Sequence, residues 1–336
     1  MSTPSIAAIV PCYNEEAAIA TVVADLKHHV PGIDVYVYDN NSQDRTVEVA
    51  AAAGAIVRHE ERPGKGNVIR RAFADIEADV YVMIDGDDTY GVEALSEMIA
   101  TLLAGPYDHV LGCRQDNPER TAYRPGHGIG NKIFASLVSK LFGAEVTDLF
   151  SGYRVMSRRF VKSFPALSSG FEIETELTVH FMDLRAPNRE IPCSFKDRPA
   201  GSESKLSTMK DGMRILAFIG RLFAAQHPAI FYGLITIIAF VLGLAVGIPV
   251  IVGYAQTGLV ERFPSAILAS SLMVLAALAI TTGIVASGIL RARKEAVRLA
   301  YLKYPPLYLP DWKINSGSDG KIDTGQVAAK ERRTKE

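Results

Sequence analysis

Val80-Tyr81-Val82-Met83-Ile84-Asp85-Gly86-Asp87-Asp88 joins an apolar run to three acids within four residues. The run is rich in Val and Ile and lacks polar alternation, the pattern of a strand buried on both faces of a parallel sheet. Its carboxyl end then opens into the crevice where open α/β sheets bind ligands. Neighbouring carboxylates repel one another, so the cluster is costly unless a cation or donor groups compensate it. Hard oxygen ligands of this kind suit Mg²⁺ or Mn²⁺, held by one or two carboxylates plus the phosphates of a substrate. Taken alone, the same residues also read as a solvated acidic turn in which an Asp caps the next helix.

The surrounding sequence supplies the rest of such a sheet. Strand-like runs at Ile6 to Val10, Val35 to Tyr38, Ala55 to Val57 and His109 to Gly112 alternate with amphipathic stretches of helix length. Those stretches fall at about Glu15 to His29, Arg45 to Ala53, Asn67 to Ala78 and Val92 to Leu103. This βαβ repetition predicts an α/β fold with a Rossmann-like, mostly parallel sheet. Beyond Arg114 the pattern is less regular. Helices are expected around Asn131 to Phe142 and Ile173 to Met182, with β-like pieces near Ser151 to Ser157 and Glu190 to Phe195.

The character changes after Asp211. Met213, Leu216, Ile219, Leu222 and Phe223 share one helical face and Arg214 and Arg221 another, which fits a helix lying on a membrane. From Ala229 to Val260, and again from Phe263 to Leu290, there is no charged side chain, and each run is long enough to span a bilayer. Lys205, Lys210, Arg214 and Arg221 precede the first run, and Arg291, Arg293, Lys294 and Arg298 follow the second. The positive-inside rule puts both ends of this hairpin, and the first domain, in the cytoplasm. The expected organisation is a catalytic domain over 1–210, an amphipathic interface helix over 211–227, a hairpin over 228–291 with spans near 230–252 and 266–290, and a basic segment with a disordered tail over 292–336. A net charge of −1 over 336 residues argues against nucleic acid as partner, and a mean hydropathy of +0.13 agrees with membrane segments. Cys12, Cys113 and Cys193 have neither disulfide nor zinc spacing and are expected as small buried side chains of a reducing compartment. The N-terminus shows no signal-like apolar stretch, so this part is expected to stay in the cytosol.

Three further loops follow strands or open helices. Val10-Pro11-Cys12-Tyr13-Asn14-Glu15-Glu16 leaves the first strand, and Asp39-Asn40-Asn41-Ser42-Gln43-Asp44-Arg45-Thr46 leaves the second. Gly64-Lys65-Gly66-Asn67 starts a helix and offers backbone N–H groups to phosphate, although it lacks a Walker or dinucleotide spacing. Each alone also suits a turn or helix cap. Their convergence on one crevice with Asp85 and Asp87 points to a site for a nucleotide and a divalent metal. With Ser151 to Arg158 (SGYRVMSR), Gly170 to Glu176 (GFEIETE) and Arg198 to Leu206 (RPAGSESKL), the stretch from Ile6 to Asp211 resembles the inverting family 2 glycosyltransferases of GT-A fold. The resemblance is to their polyprenyl-phosphate branch, typified by dolichyl-phosphate mannose synthases and bactoprenol glucosyltransferases.

That resemblance implies a nucleotide site formed by Pro11, Tyr13, Glu15, Asp39, Gly64, Arg70 and Asp85. It implies a metal at Asp85 and Asp87, Arg114 near the donor diphosphate, and Asp148 as a further acid near the sugar, for which an ion pair with Arg154 is an equal alternative. A lipid monophosphate acceptor has a second pKa of about 6, so it needs cations to hold it more than a base to activate it. Arg124, Arg198, Ser204 and Lys205 are the candidates, although the family's R-x-x-G-x-S-K carries one extra residue here. Thr89 stands where mannose synthases have Gln, Asp88 is read as a helix cap, and His127 as a loop residue without a role. Of Glu172, Glu174 and Glu176, at most two can face one site. The implied reaction moves a single hexose-type sugar, with inversion, from a nucleotide diphosphate to a polyprenyl phosphate at the cytoplasmic membrane face, with a lean toward UDP and room for a homo-oligomer. Rivals are a different lipid or polysaccharide acceptor and a non-catalytic partner or flippase component. Trp312 lacks the Q-x-x-R-W context of processive synthases, and uncharged spans give a transport path no support.

Overall fold

A computed structural model describes residues 3–114, 147–149, 151–196, 226–310 and 312. The chain divides into two units, residues 1–208 with 297–336, and residues 209–296. In the first unit, β1 (Ile6–Cys12), β2 (Asp34–Asp39), β3 (Ile56–His59), β4 (Val80–Met83), β5 (His109–Arg114), β6 (Arg154–Ser157) and β7 (Asn188–Cys193) form one sheet in the order β3-β2-β1-β4-β6-β5-β7. Every ladder is parallel except those of β6, which runs against β4 and β5. The continuous apolar runs of β1 and β4 are buried, as strands covered on both faces must be.

Helices α1 (Ile19–His29), α2 (Thr46–Ala52), α3 (Lys65–Asp75), α4 (Leu95–Leu103), α5 (Arg158–Ser163) and α6 (Ile173–Leu184), with a short helical turn at Val92–Ala94, flank the strands in sequence. α1 buries Ile19, Val22, Val23 and Leu26, a stripe at three- and four-residue spacing. It begins four residues later than its sequence suggests, because Glu15 to Ala18 form a turn whose first N–H goes to Thr46 Oγ1 at 2.8 Å. Cys12 and Cys193 are buried, and burial pushes the Cys113 and Cys193 thiols up to about 12, which keeps them unreactive.

His109 at the head of β5 is wholly enclosed. Its ring stacks on Phe181 at 5.2 Å between centroids, Nδ1 meets Asn188 Oδ1 at 2.7 Å, and Nε2 faces Arg154 Nη1 at 3.4 Å. The neutral ring with its proton on Nδ1 satisfies both contacts, whereas a protonated ring would aim a second N–H at a guanidinium. Burial, reinforced by the Arg154 charge, pushes the pKa down to about 3. The folded value lies below the unfolded value of about 6.5, so this contribution is complete above that pH and is lost as the pH falls toward 3. The loss should reach about 2 kcal/mol at pH 5. Melting temperatures should therefore drop between neutral pH and pH 5, and His109→Gln, which cannot titrate, should flatten that drop. An equal drop in the variant would remove His109 as its cause.

In the second unit, α7 (Pro228–Thr257) and α8 (Phe263–Leu302) are both long and apolar enough to cross a membrane. Large apolar side chains such as Ile237, Leu242, Leu278 and Ile284 stay half or more exposed along them. Where the two helices touch, small residues let the backbones approach: a Cβ on Gly243 or Gly247 would stand 3.4 Å or 3.3 Å from Leu272 or Ala269. That is the packing by which helices associate in lipid, where apolar burial gives no net drive. The last turns of α8 belong to the first unit. There Tyr301 is buried, its Oη donating to Asp108 Oδ2 at 2.6 Å under the Arg159 guanidinium, and Leu309 N donates to Leu103 O at 2.7 Å. Within the first unit, Tyr301, Leu307, Leu309 and Trp312, in the stretch expected as a basic segment, thus pack onto the sheet domain.

Candidate active site

The loops that leave β1, β2 and β4 are built from residues that tolerate left-handed backbone. Asn14, Asn41 and Asp88 have φ of 55°, 67° and 53°, a region Asn and Asp enter more readily than other side chains. The first two loops are knitted together: Asn14 N donates to Ser42 Oγ at 2.9 Å, Gln43 N to Asn14 Oδ1 at 2.8 Å, and Arg45 N to Glu16 Oε2 at 2.9 Å. Asn40 ties in the loop before α3. Its Nδ2 donates to the Glu60 and Arg62 carbonyls, and its Oδ1 accepts from Gly64 N at 2.7 Å.

A cavity of about 490 Å³ opens between these loops, and its wall includes Pro11, Tyr13, Glu15, Asn40, Gly64, Lys65, Asp85, Asp87 and Phe171. The structure thereby brings together Pro11, Tyr13, Glu15, Gly64, Asp85 and Asp87 among the residues expected at a nucleotide and metal site. Asp39 and Arg70 do not line it. Asp39 Oδ1 accepts from Ser42 N at 3.2 Å with its other oxygen 3.3 Å from His59, and Arg70 donates to Asn67 Oδ1 at 2.6 Å. Arg114 and Asp148 also lie outside the lining, as a two-point pair of 2.8 and 2.6 Å. Asp148 therefore pairs with Arg114 rather than with Arg154. Arg124, His127, Arg198, Ser204, Lys205 and the amphipathic stretch 213–225 fall outside the described residues.

Asp87 is 5% exposed, and its Oδ1 accepts from Thr89 Oγ1 at 2.6 Å and from Thr89 N at 3.3 Å. Thr89 thus orients the carboxylate. Asp88 does not cap the following helical turn, whose N-cap is Gly91; it lies 3.4 Å from Lys196 instead. Asp85, more open than Asp87, is paired through Oδ1 with Lys65, whose Nζ also lies 2.6 Å from Glu174 Oε1. Burial works against the charge on Lys65, but Asp85 and Glu174 outweigh it and hold its pKa well above the ordinary lysine range. Burial raises the Glu174 carboxyl in turn, with Lys65 opposing it. Glu176 accepts from Leu167 N and Ser168 N at 3.0 and 2.7 Å, so of the three glutamates Glu174 is the one that reaches this cluster.

Gly64-Lys65-Gly66 also differs from its reading as a phosphate cradle. A Cβ on Gly64 or Gly66 would overlap the carbonyl oxygens of Ser169 or Ser168, and Gly64 has φ 121°. The glycines are there because another backbone crosses them. Lys65, Asn40, Phe171 and Glu174 lie in stretches the sequence singles out, but their places at the cavity or beside Asp85 are not assigned there.

Asp85 and Asp87, two of the three carboxylates in the wall, with no group of three or more His, Cys, Asp or Glu poised around an ion among the described residues, make an incomplete set of hard oxygen donors. That set fits Mg²⁺ or Mn²⁺, ions that keep positions for phosphate and water.

Residues 7–164 match the model of the glycosyl transferase family 2. The glycosyltransferase AglJ of Haloferax volcanii is 32% identical over 250 residues, covering 74% of this chain and 82% of that protein. A dolichyl-phosphate hexose transferase of the same organism is 32% identical over 211 residues, covering 62% of this chain and 90% of that protein. Glucosyl-3-phosphoglycerate synthase of Mycobacterium tuberculosis, solved with Mn²⁺, UDP and glucosyl-3-phosphoglycerate, has the same fold, with a TM-score of 0.53 at 23% identity over 64% of this chain and 78% of that one. With the strand-end carboxylates in place and relatives matched over most of their length, the chain belongs to glycosyl transferase family 2.

Proposed function

We propose that the protein transfers a single hexose-type sugar, with inversion, from a nucleoside diphosphate sugar to a polyprenyl phosphate at the cytoplasmic face of a membrane. The observation that carries this reading is the cavity walled by Asp85 and Asp87 in a chain that also has two apolar helices of membrane-crossing length. In it, Tyr13, Glu15 and Asn40 face the nucleoside, and Asp87, with Asp85 beside it, holds Mg²⁺ or Mn²⁺. The ion, when bound, neutralises charge on the departing diphosphate. Arg114, held by Asp148, is assigned to adding a positive charge toward the same diphosphate. The acceptor phosphate is already ionised at neutral pH, so Arg124, Arg198, Ser204 and Lys205 are assigned to holding it rather than to removing a proton. The acceptor class is supported by the similarity to a protein named a dolichyl-phosphate hexose transferase. Basic residues at both ends of the hairpin favour a cytoplasmic catalytic unit. UDP is the preferred donor nucleotide.

The test is transfer by the full-length protein, in detergent or nanodiscs, from a panel of labelled UDP- and GDP-sugars to undecaprenyl phosphate. Label should enter the organic phase with one donor, cease with EDTA and return with Mg²⁺ or Mn²⁺, and the product should carry the inverted anomer by NMR. Arg198→Ala should retain nucleotide binding and lose transfer. Bound nucleotide with no lipid-linked label from any donor would sink the acceptor assignment.

A further inference from the structure

Lys65 stands between Asp85, at the end of β4, and Glu174, in the first turn of α6, with 8% of its side chain exposed. One ammonium thus serves two carboxylates, and one of them belongs to the pair on the cavity wall. Its position has little slack, because Gly64 and Gly66 on either side are crossed by the Ser168–Ser169 backbone, and Asn67 N donates to Ser169 O at 3.3 Å. A cation entering the cavity therefore meets a fixed positive charge already seated on Asp85.

We propose that Lys65 is a positioning residue that holds Asp85 in the free enzyme and withholds it from an incoming ion, so that divalent metal is taken up together with the nucleoside diphosphate rather than ahead of it. Mg²⁺ and Mn²⁺ bind weakly where a carboxylate is already paired with an ammonium, and the diphosphate oxygens supply the ligands the wall withholds. Glu174 sets the strength of this arrangement. By sharing Lys65 it lowers the net positive charge that the ion feels, and it makes α6 part of the metal site's electrostatics. The inference rests on the nucleotide-and-metal reading of the cavity proposed above and is independent of the acceptor.

The experiment is a Mn²⁺ titration of the full-length protein followed by EPR, first without nucleotide, then with UDP and with GDP, and with no acceptor present. The wild type should bind Mn²⁺ weakly alone and roughly tenfold or more tighter with the nucleotide it uses. Lys65→Met should tighten nucleotide-free binding by roughly tenfold, because a facing positive charge has gone, and should shrink the gain from nucleotide. Glu174→Gln should act in the opposite direction, weakening binding while Lys65 stays on Asp85. A stitching role alone would move both variants the same way, toward weaker binding and lower melting temperature. Unchanged or weaker nucleotide-free binding in a folded Lys65→Met protein overturns the proposal. Should that variant not fold, Glu174→Gln decides, and unchanged or tighter binding there overturns it. If neither nucleotide alters Mn²⁺ binding in the wild type, the donor reading itself falls, and this inference with it. A failed lipid assay leaves all these outcomes readable.

Discussion

Asp87→Ala should lower kcat/KM by roughly 10²- to 10³-fold, the scale on which removing one fixed charge-stabilising group acts. The side chain sits at the mouth of β4 with 5% exposure, and both of its described hydrogen bonds come from Thr89, two residues on. Those bonds orient the carboxylate toward the cavity it lines, so its loss should remove a charge placed at the site. Asp87→Asn keeps the shape and can still accept from Thr89, but it lacks the charge, so it should fall nearly as far. Thr89→Val removes one orienting hydrogen bond from an intact carboxylate and should cost about tenfold, in line with a lost bond to a charged group. The three variants separate charge from orientation. Circular dichroism and melting curves should coincide with the wild type for each, while initial rates with saturating donor fall in the order Thr89→Val, Asp87→Asn, Asp87→Ala. Wild-type rates in Asp87→Ala would take the metal role away from this residue.

The acidic cluster was legible because it follows an unbroken apolar run. Once Val80 to Ile84 is read as a doubly covered strand, the place of Asp85 and Asp87 at a sheet edge follows from topology alone. The loops after β1 and β2 were legible for the same reason. Lys65 was not. A lysine between glycines reads as solvent-facing or phosphate-binding, and nothing local announces that its partner lies on a helix far along the chain. The glycines themselves answer to the 168–170 backbone, a tertiary crossing with no local signature. Asp39 and Arg70 illustrate the reverse case: a residue at the right strand end or helix face need not reach the cavity. Its direction is fixed by neighbours such as Ser42, His59 and Asn67, whose positions the pattern does not give. Strand β6 falls within the β-like piece read at Ser151 to Ser157, but its antiparallel direction was not legible, because an apolar pattern opened by an arginine carries no sign of which neighbours it pairs with.

That arginine should prove the most costly single side chain to remove from the fold. Arg154 is wholly buried, and its guanidinium donates to the carbonyls of Ser151 at 3.0 Å, Leu149 at 3.3 Å and Glu174 at 3.0 Å, and to Thr178 Oγ1 at 3.1 Å. Burial, which the acidic side chains of Glu174 and Asp148 only partly offset, brings its pKa down to about 10, so it remains charged at neutral pH. Two effects then oppose each other in Arg154→Met. Removing a buried charge relieves its desolvation cost, which is why apolar replacement of a whole buried ion pair is often harmless. Here, however, the partners are backbone carbonyls that stay behind. Leu149, Ser151, Glu174 and Thr178 are all buried; the Glu174 carbonyl keeps the Thr178 hydroxyl at 2.9 Å, but each acceptor left without a donor costs about 1–3 kcal/mol. The unpaired acceptors should win, with a net loss of about 3–5 kcal/mol, or on the order of 10 °C in melting temperature for a domain of this size. Arg154→Lys should recover little, because a single ammonium cannot replace a planar fork that reaches four acceptors on two segments. The effect should also travel. Arg154 holds the backbone of Glu174, whose side chain holds Lys65 against Asp85, so in Arg154→Met protein that still folds at low temperature the donor KM should rise while a distant destabilising change such as Tyr301→Phe leaves it unmoved. A melting temperature within about 2 °C of wild type for Arg154→Met would mean that water or backbone shifts satisfy those carbonyls, and that β6 is held in the sheet by its ladders alone.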